Sequence, residues 1–204
     1  MQKFERVFQE RFFDVLPEEA ELVRLISGGR KIGLSAVASG HVGLVRFYDL
    51  PPLENLENLD RFECLSEVNL LGGNEPYMKN SLDEITPLLA EKIFFPGNNI
   101  FGFWILNFRL NIQAMRIIRE NGKKLKYLRL RNCCLTEEHL DLLDFPSLVS
   151  LTIAATKGIG SKRVTSLIHR SRLKSLCLTR NSFSQYERSE LENLNFPTEV
   201  RFIS

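Results

Sequence analysis

Long apolar runs, a cysteine framework and an excess of either charge are all missing from this chain. No stretch of the 204 residues stays apolar for the ~20 residues that a bilayer-spanning helix needs, so a helical membrane protein is not expected. The N-terminal residues mix Lys3, Glu5, Arg6, Glu10 and Arg11 with apolar neighbours. They lack the uncharged core of a signal peptide, which argues against secretion and for the cytoplasm or nucleus. Cys64, Cys133, Cys134 and Cys177 show no extracellular disulfide spacing. Charge is nearly balanced, with 27 Lys and Arg against 25 Asp and Glu, so electrostatics alone demand no nucleic-acid partner. The histidines, His41, His139 and His169, are too scattered for a metal site. The run from Lys157 to Lys162 is glycine-bearing but lacks the GxxxxGK[ST] order of a phosphate loop; it reads as a turn with Ser161 capping a helix. No nucleophile, base and orienting group can be assembled, so the expectation is a non-enzyme without cofactor or metal.

What is present is a ruler. Leu125, Leu128, Leu130, Cys133 and Leu135 set a spacing that returns at Leu173, Leu176, Leu178, Asn181 and Phe183. It also returns at Leu148, Leu151, Ile153 and Thr156, and at Pro197, Val200 and Phe202. The frames start at 125, 148, 173 and 197, at intervals of 23, 25 and 24. Weaker copies run through Ile100, Phe103, Ile105, Phe108 and Leu110, through Leu65, Val68, Leu70 and Gly73, and through Val42, Val45, Phe47 and Leu50. Alternation within each copy reads as a short strand, with Leu128 and Leu130 inward and Tyr127, Arg129 and Arg131 outward. One such coil cannot bury its own apolar face, so neighbours must stack. The ninth residue turns the chain, and Cys133 and Asn181 suit a place facing buried backbone groups.

The LxxLxLxxCxL spacing and its period resemble the leucine-rich repeat, in its ribonuclease-inhibitor-like and cysteine-containing forms. The resemblance implies an α/β solenoid with a curved parallel sheet on the concave face and helices on the convex face. It implies a binding role and no catalytic residues; proteins of this kind include ubiquitin-ligase substrate receptors. The whole chain is expected to form one domain, with repeats over 42–204. A helical cap is expected over 1–41, with a first helix carrying Phe4, Val7, Phe8, Phe12, Val15 and Leu16 and a second over Glu18 to Ile26. Convex helices are expected over Ser81 to Phe94, with a Ser81/Glu84 capping box, and after Thr136, Ser161 and Ser184. Leu82, Ile85, Leu88, Leu89, Ile93, Leu140, Leu143, Val164, Leu167, Ile168, Tyr186, Leu191 and Leu194 are their expected inward contacts.

Stacking makes neighbours of residues at equal repeat positions. The fifth position reads Arg46, Asn69, Trp104, Arg129, Thr152, Cys177, Arg201; the third includes Glu67, Gly102, Tyr127, Ser150, Ser175 and Glu199; the seventh includes Leu106, Arg131, Ala154 and Thr179. The expected partner-binding residues are Trp104, Leu106, Tyr127, Arg129, Arg131, Thr152, Thr179 and Arg201, because aromatics and Arg dominate interface energies at about 2 kcal/mol or more per hot spot. A one-residue shift in the aromatic-rich frame would instead bury Trp104 and Leu106 and expose Phe103 and Ile105. Val200 and Phe202 are expected to form an uncapped edge, covered by a second copy or by a partner strand. Two function classes follow: an adaptor or assembly subunit that binds another protein, or a regulator of an enzyme, inhibitory or GTPase-activating, acting through an exposed Arg.

Overall fold

Leu128 and Leu130, Leu151 and Ile153, and Leu176 and Leu178 all lie in five-residue strands and are all buried, while their odd-numbered neighbours in the first strand and the corresponding residues of the others retain solvent contact except at Ala154. The computed structural model describes residues 21–26, 42–48, 50–51, 53–56, 59–61, 65–72, 83–155, 159–179, 183–194 and 197–203. Among these, the strands are β1 (Glu21–Ile26), β2 (Val42–Tyr48), β3 (Glu67–Leu71), β4 (Glu84–Ile85), β5 (Gly102–Leu106), β6 (Arg109–Leu110), β7 (Tyr127–Arg131), β8 (Ser150–Ala154), β9 (Ser175–Thr179) and β10 (Glu199–Ile203). The α-helices are α1 (Pro87–Ile93), α2 (Ile112–Asn121), α3 (Glu137–Asp141), α4 (Ser161–Arg170) and α5 (Gln185–Glu192).

The fold is a mixed α/β arrangement. All strands but β4 and β6 join one sheet in chain order, every neighbouring pair parallel. Val45, Val68, Phe103, Leu128, Leu151, Leu176 and Val200 form one row across it, and Phe47, Leu70, Ile105, Leu130, Ile153, Leu178 and Phe202 the next. This register removes the one-residue shift: Phe103 and Ile105 are buried, and Trp104 and Leu106 lie half-buried on the opposite face. Side chains from the helices, such as Ile93, Met115, Leu140, Leu167 and Leu191, share a single core with those rows, so the helices cover one face of the sheet. On the outside, Arg116–Glu138, Arg119–Asp144, Arg163–Glu137 and Arg170–Asp141 tie successive helices together at 2.7, 2.9, 3.0 and 3.0 Å. Each exposed pair contributes under about 1 kcal/mol.

Several expectations are corrected. Glu21–Ile26, expected in a short cap helix, is strand β1, with Val23 beside Val45 and Leu25 beside Phe47. Pairing with a neighbouring strand outweighs the weak helical periodicity of ELVRLI. The remainder of 1–41 lies outside the described residues, as do Gly73, Ser81, Leu82, Thr156 and Asn181. Glu84, expected in a capping box, is in β4, which pairs with β6. α1 starts later, at Pro87, where proline lacks only an N–H that no helix residue would accept, and Thr86 caps it through Leu89 N–H at 3.3 Å. Leu88, expected inward, is exposed. Ser161 is the first residue of α4 and not its cap; Gly160 holds that position, with no side-chain cap. Tyr186, also expected inward, is 72% exposed, and Leu191 is the buried residue of α5. α2 was not expected at all. The helices after Thr136 and Ser184 begin where expected, α5 with a reciprocal Ser184/Glu187 capping box.

The chain leaves the strands through a repeated turn. Asn107, Asn132 and Ala155 each follow a strand with φ of 61°, 50° and 52°, a left-handed conformation that Asn tolerates better than Ala. Their N–H groups extend the ladder to Arg131, Ala154 and Thr179 carbonyls, and the Asn132 amide donates to Asn107 Oδ1 at 2.9 Å. Asn107 in turn donates to the Gly72 carbonyl at 3.3 Å, and a Cβ on Gly72 would lie 2.7 Å from the Asn107 oxygen.

Candidate functional site

The sheet face opposite the helices is the candidate site, and among the described residues its outward side chains from Trp104 onward retain solvent contact except at Ala154. On β3, Glu67 and Asn69 were expected to face outward to solvent. Both are buried, to 2% and 0% exposure, and so is Gly102 beside them. The Asn69 side-chain amide makes no hydrogen bond among the described residues, at a cost of about 1–3 kcal/mol. Residue parity along a strand states which face a side chain takes, but not whether that face is covered.

Parallel in-register pairing sets Tyr127 beside Gly102, Arg129 beside Trp104 and Arg131 beside Leu106. Arg129 lies over the Trp104 ring, its guanidinium carbon 4.4 Å from the ring centroid. Such a contact is worth about 0.5–2 kcal/mol and fixes the guanidinium plane before any partner arrives. Arg131 is exposed at the strand's far end and forms no ion pair among the described residues. Trp104, Leu106, Tyr127, Arg129 and Arg131 are therefore one contiguous cluster on two adjacent strands.

Thr152 and Thr179 are half-buried on β8 and β9 and continue the face as a low floor with Ser150 and Ser175. Ala154 is buried within it, and the Cys177 thiol and Thr179 hydroxyl lie 3.5 Å apart. Arg201 stands apart. It is three strands from Arg129, about 14 Å at ordinary strand spacing, and is held by two hydrogen bonds of 2.7 Å to Glu199. The guanidinium holds the Glu199 carboxyl below its usual range. Val200 and Phe202 are on the helix side of β10, half-buried against the core. The Phe202 ring meets Phe183 edge-on at 5.8 Å and lies 5.6 Å from the Arg188 guanidinium of α5, so part of the expected apolar edge is covered from the helix side.

Two groups outside those expectations shape the region. The Asn107–Asn132 pair was signalled by an Asn at the eighth position of two frames, 25 residues apart. His139 is buried on α3, its Nε2 2.7 Å from the Leu110 carbonyl and its Nδ1 accepting the Thr136 N–H at 3.0 Å. Burial lowers its pKa from the usual value. No group of His, Cys, Asp and Glu among the described residues could hold a metal, and no helix among them is long and apolar enough to cross a membrane. Chemically, the face offers hydrogen-bond donors, aromatic surface and positive charge, and no assembled nucleophile. No protein-family model matches the chain, and no curated protein matches it in sequence.

Proposed function

We propose that the chain is a leucine-rich-repeat solenoid that works as a non-catalytic interaction module, holding another protein against the sheet face that carries Trp104, Tyr127, Arg129 and Arg131. The observation that supports this most is the stacking of Arg129 on Trp104 at 4.4 Å beside exposed Arg131. Aromatic and Arg side chains held in place before binding lose little entropy when a partner docks. An intracellular adaptor or assembly subunit fits this reading, a ubiquitin-ligase substrate receptor being one form of it. Contact through β10 with a second copy or a partner strand is a subsidiary route, narrowed by Phe183 and by Arg188 of α5, which lie against the Phe202 ring.

The second reading, a regulator that inserts an arginine into an enzyme's site, draws on Arg131, which is exposed and without an ion pair among the described residues. Proximity labelling and affinity capture with the intact chain, repeated for the Arg129→Ala/Arg131→Ala double variant, separate the two. The module reading expects the captured set to lose its main partner, with no turnover affected. Unchanged capture with lost stimulation of a partner's turnover would favour the regulator. Unchanged capture and unchanged turnover would remove this face from the function.

A further inference from the structure

Asp and Glu are absent from 121–136 and again from 145–186, and these stretches hold β7, β8 and β9 with the loops that enter them. Glu137, Glu138, Asp141 and Asp144, in or beside α3, are taken up by the ion pairs between helices. The strands β7, β8 and β9 carry no acid, and Glu199 on β10 is paired with Arg201. At the entry to β7 and β9 lie Lys123, Lys124, Lys126, Arg172 and Lys174, all exposed and none in an ion pair among the described residues. Lys124 bonds a neutral group, Asn99 Oδ1, at 2.6 Å.

Repeat register organises these cations. The Lys126 carbonyl accepts Val149 N–H and the Val149 carbonyl accepts Lys174 N–H, both at 2.8 Å, so Lys126 and Lys174 occupy the same position two strands apart. Two strand spacings are about 10 Å. An extended polypeptide in the polyproline II conformation advances about 3.1 Å per residue with three residues per turn, so carboxylates three residues apart point the same way at about this separation. A chain running across the strand entries would meet both lysines.

We propose that this edge docks an extended acidic segment of a protein partner, with Lys126 and Lys174 as its paired carboxylate contacts. The inference rests on the module reading above and gives its partner a chemistry. A single-stranded nucleic acid is the less favoured occupant: one face of the Trp104 ring is taken by Arg129, which reduces the free stacking surface such ligands use, and the helix side carries the compensating acids.

The test uses a fluorescein-labelled peptide of about ten glutamates, long enough to cross several strands, and anisotropy measured at about 50 and about 200 mM salt. Saturable binding that weakens several-fold with salt is expected, and Lys126→Glu/Lys174→Glu should lose roughly ten-fold or more in affinity. Both residues are exposed, so the variant is expected to keep the parent's circular dichroism. Lys162→Glu, at the start of α4, is the control and should bind within about two-fold of the parent. Three outcomes would each overturn the proposal: no saturable binding of the peptide, equal weakening by Lys162→Glu, or an oligothymidine that binds more tightly than the peptide. If the peptide fails while the Arg129/Arg131 capture experiment succeeds, the module stands and only the acidic partner is lost.

Discussion

Cys133 and Cys134 are chain neighbours with different chemistry. Cys133 is buried with its thiol 3.7 Å from the Ile105 carbonyl and 3.5 Å from that of Arg131, and burial pushes its pKa up to about 12. The thiolate is the reactive form, so Cys133 is inert at neutral pH, whereas Cys134 is exposed. Iodoacetamide on the native chain should label Cys134 and spare Cys133 until denaturant is added; peptide mass spectrometry showing equal labelling of the two would contradict the burial. His139 gives a pH dependence of definite sign. In the fold it is neutral, donating from Nε2 to Leu110 and accepting at Nδ1 from Thr136; a proton on Nδ1 would oppose one N–H with another. Its folded pKa is lowered, so the unfolded chain takes up the proton first. Its stabilising contribution is complete above the unfolded value of about 6.5 and declines as pH falls through it toward the folded value. Urea midpoints should drop between about pH 7 and pH 5.5, and His139→Gln should be less stable at neutral pH with a shallower drop. An unchanged slope in the variant would remove His139 as the source.

At the scale of the element, strand exits are the place where local geometry and residue choice disagree most. Asn107 and Asn132 meet the left-handed turn with a residue suited to it and link to each other; Ala155 meets it without either advantage. Ala155→Asn is expected to raise stability by about 1 kcal/mol, by relieving that backbone and by extending the amide ladder from Asn132. Chemical denaturation showing no gain would mean the new side chain finds no partner. Helix starts follow the same local logic. Thr86 and Pro87 begin α1, Asn111 accepts Gln113 N–H at 2.9 Å to begin α2, and Ser184 with Glu187 begins α5. α2 has little signal in the sequence, because its cap, Asn111, directly follows the frame that ends at Leu110 and its first turn holds no acid. α1 was misplaced because Ser81 and Glu84 form a plausible box in sequence, while the β4–β6 pairing takes Glu84 into a strand.

Across the whole molecule, each inward row depends on its neighbours on both sides, so the cost of a cavity depends on place in the sheet. Leu151 lies between Leu128 and Leu176 with no exposure, whereas Phe202 at the last described strand is half-buried. Leu151→Ala should cost about 3 kcal/mol and Phe202→Ala less, despite the larger side chain removed. Denaturation in which Phe202→Ala proves the more harmful would show that β10 is buried more deeply than its exposure indicates. The strands of the large sheet from β2 onward were legible, unlike β4 and β6, because period-2 alternation recurring in a fixed frame is a pattern that helices and irregular loops do not produce. β1 was not, since LVRLI satisfies a strand and a helical stripe equally well, and only parallel pairing with β2 separates them. The cluster on β5 and β7 was legible from the frame, up to the one-residue shift that the register with β7 resolves.

By itself, then, the sequence determined which side chains alternate inward and how often the chain returns, because spacing along the backbone is a local property. Tertiary structure alone decided that Glu67 and Asn69 are covered while Arg131 is not, that Arg129 rests on Trp104, and that lysines 48 residues apart, at 126 and 174, stand at the entries of strands separated by one other. Burial and proximity are set by what packs from outside a segment, and no periodicity within that segment encodes them.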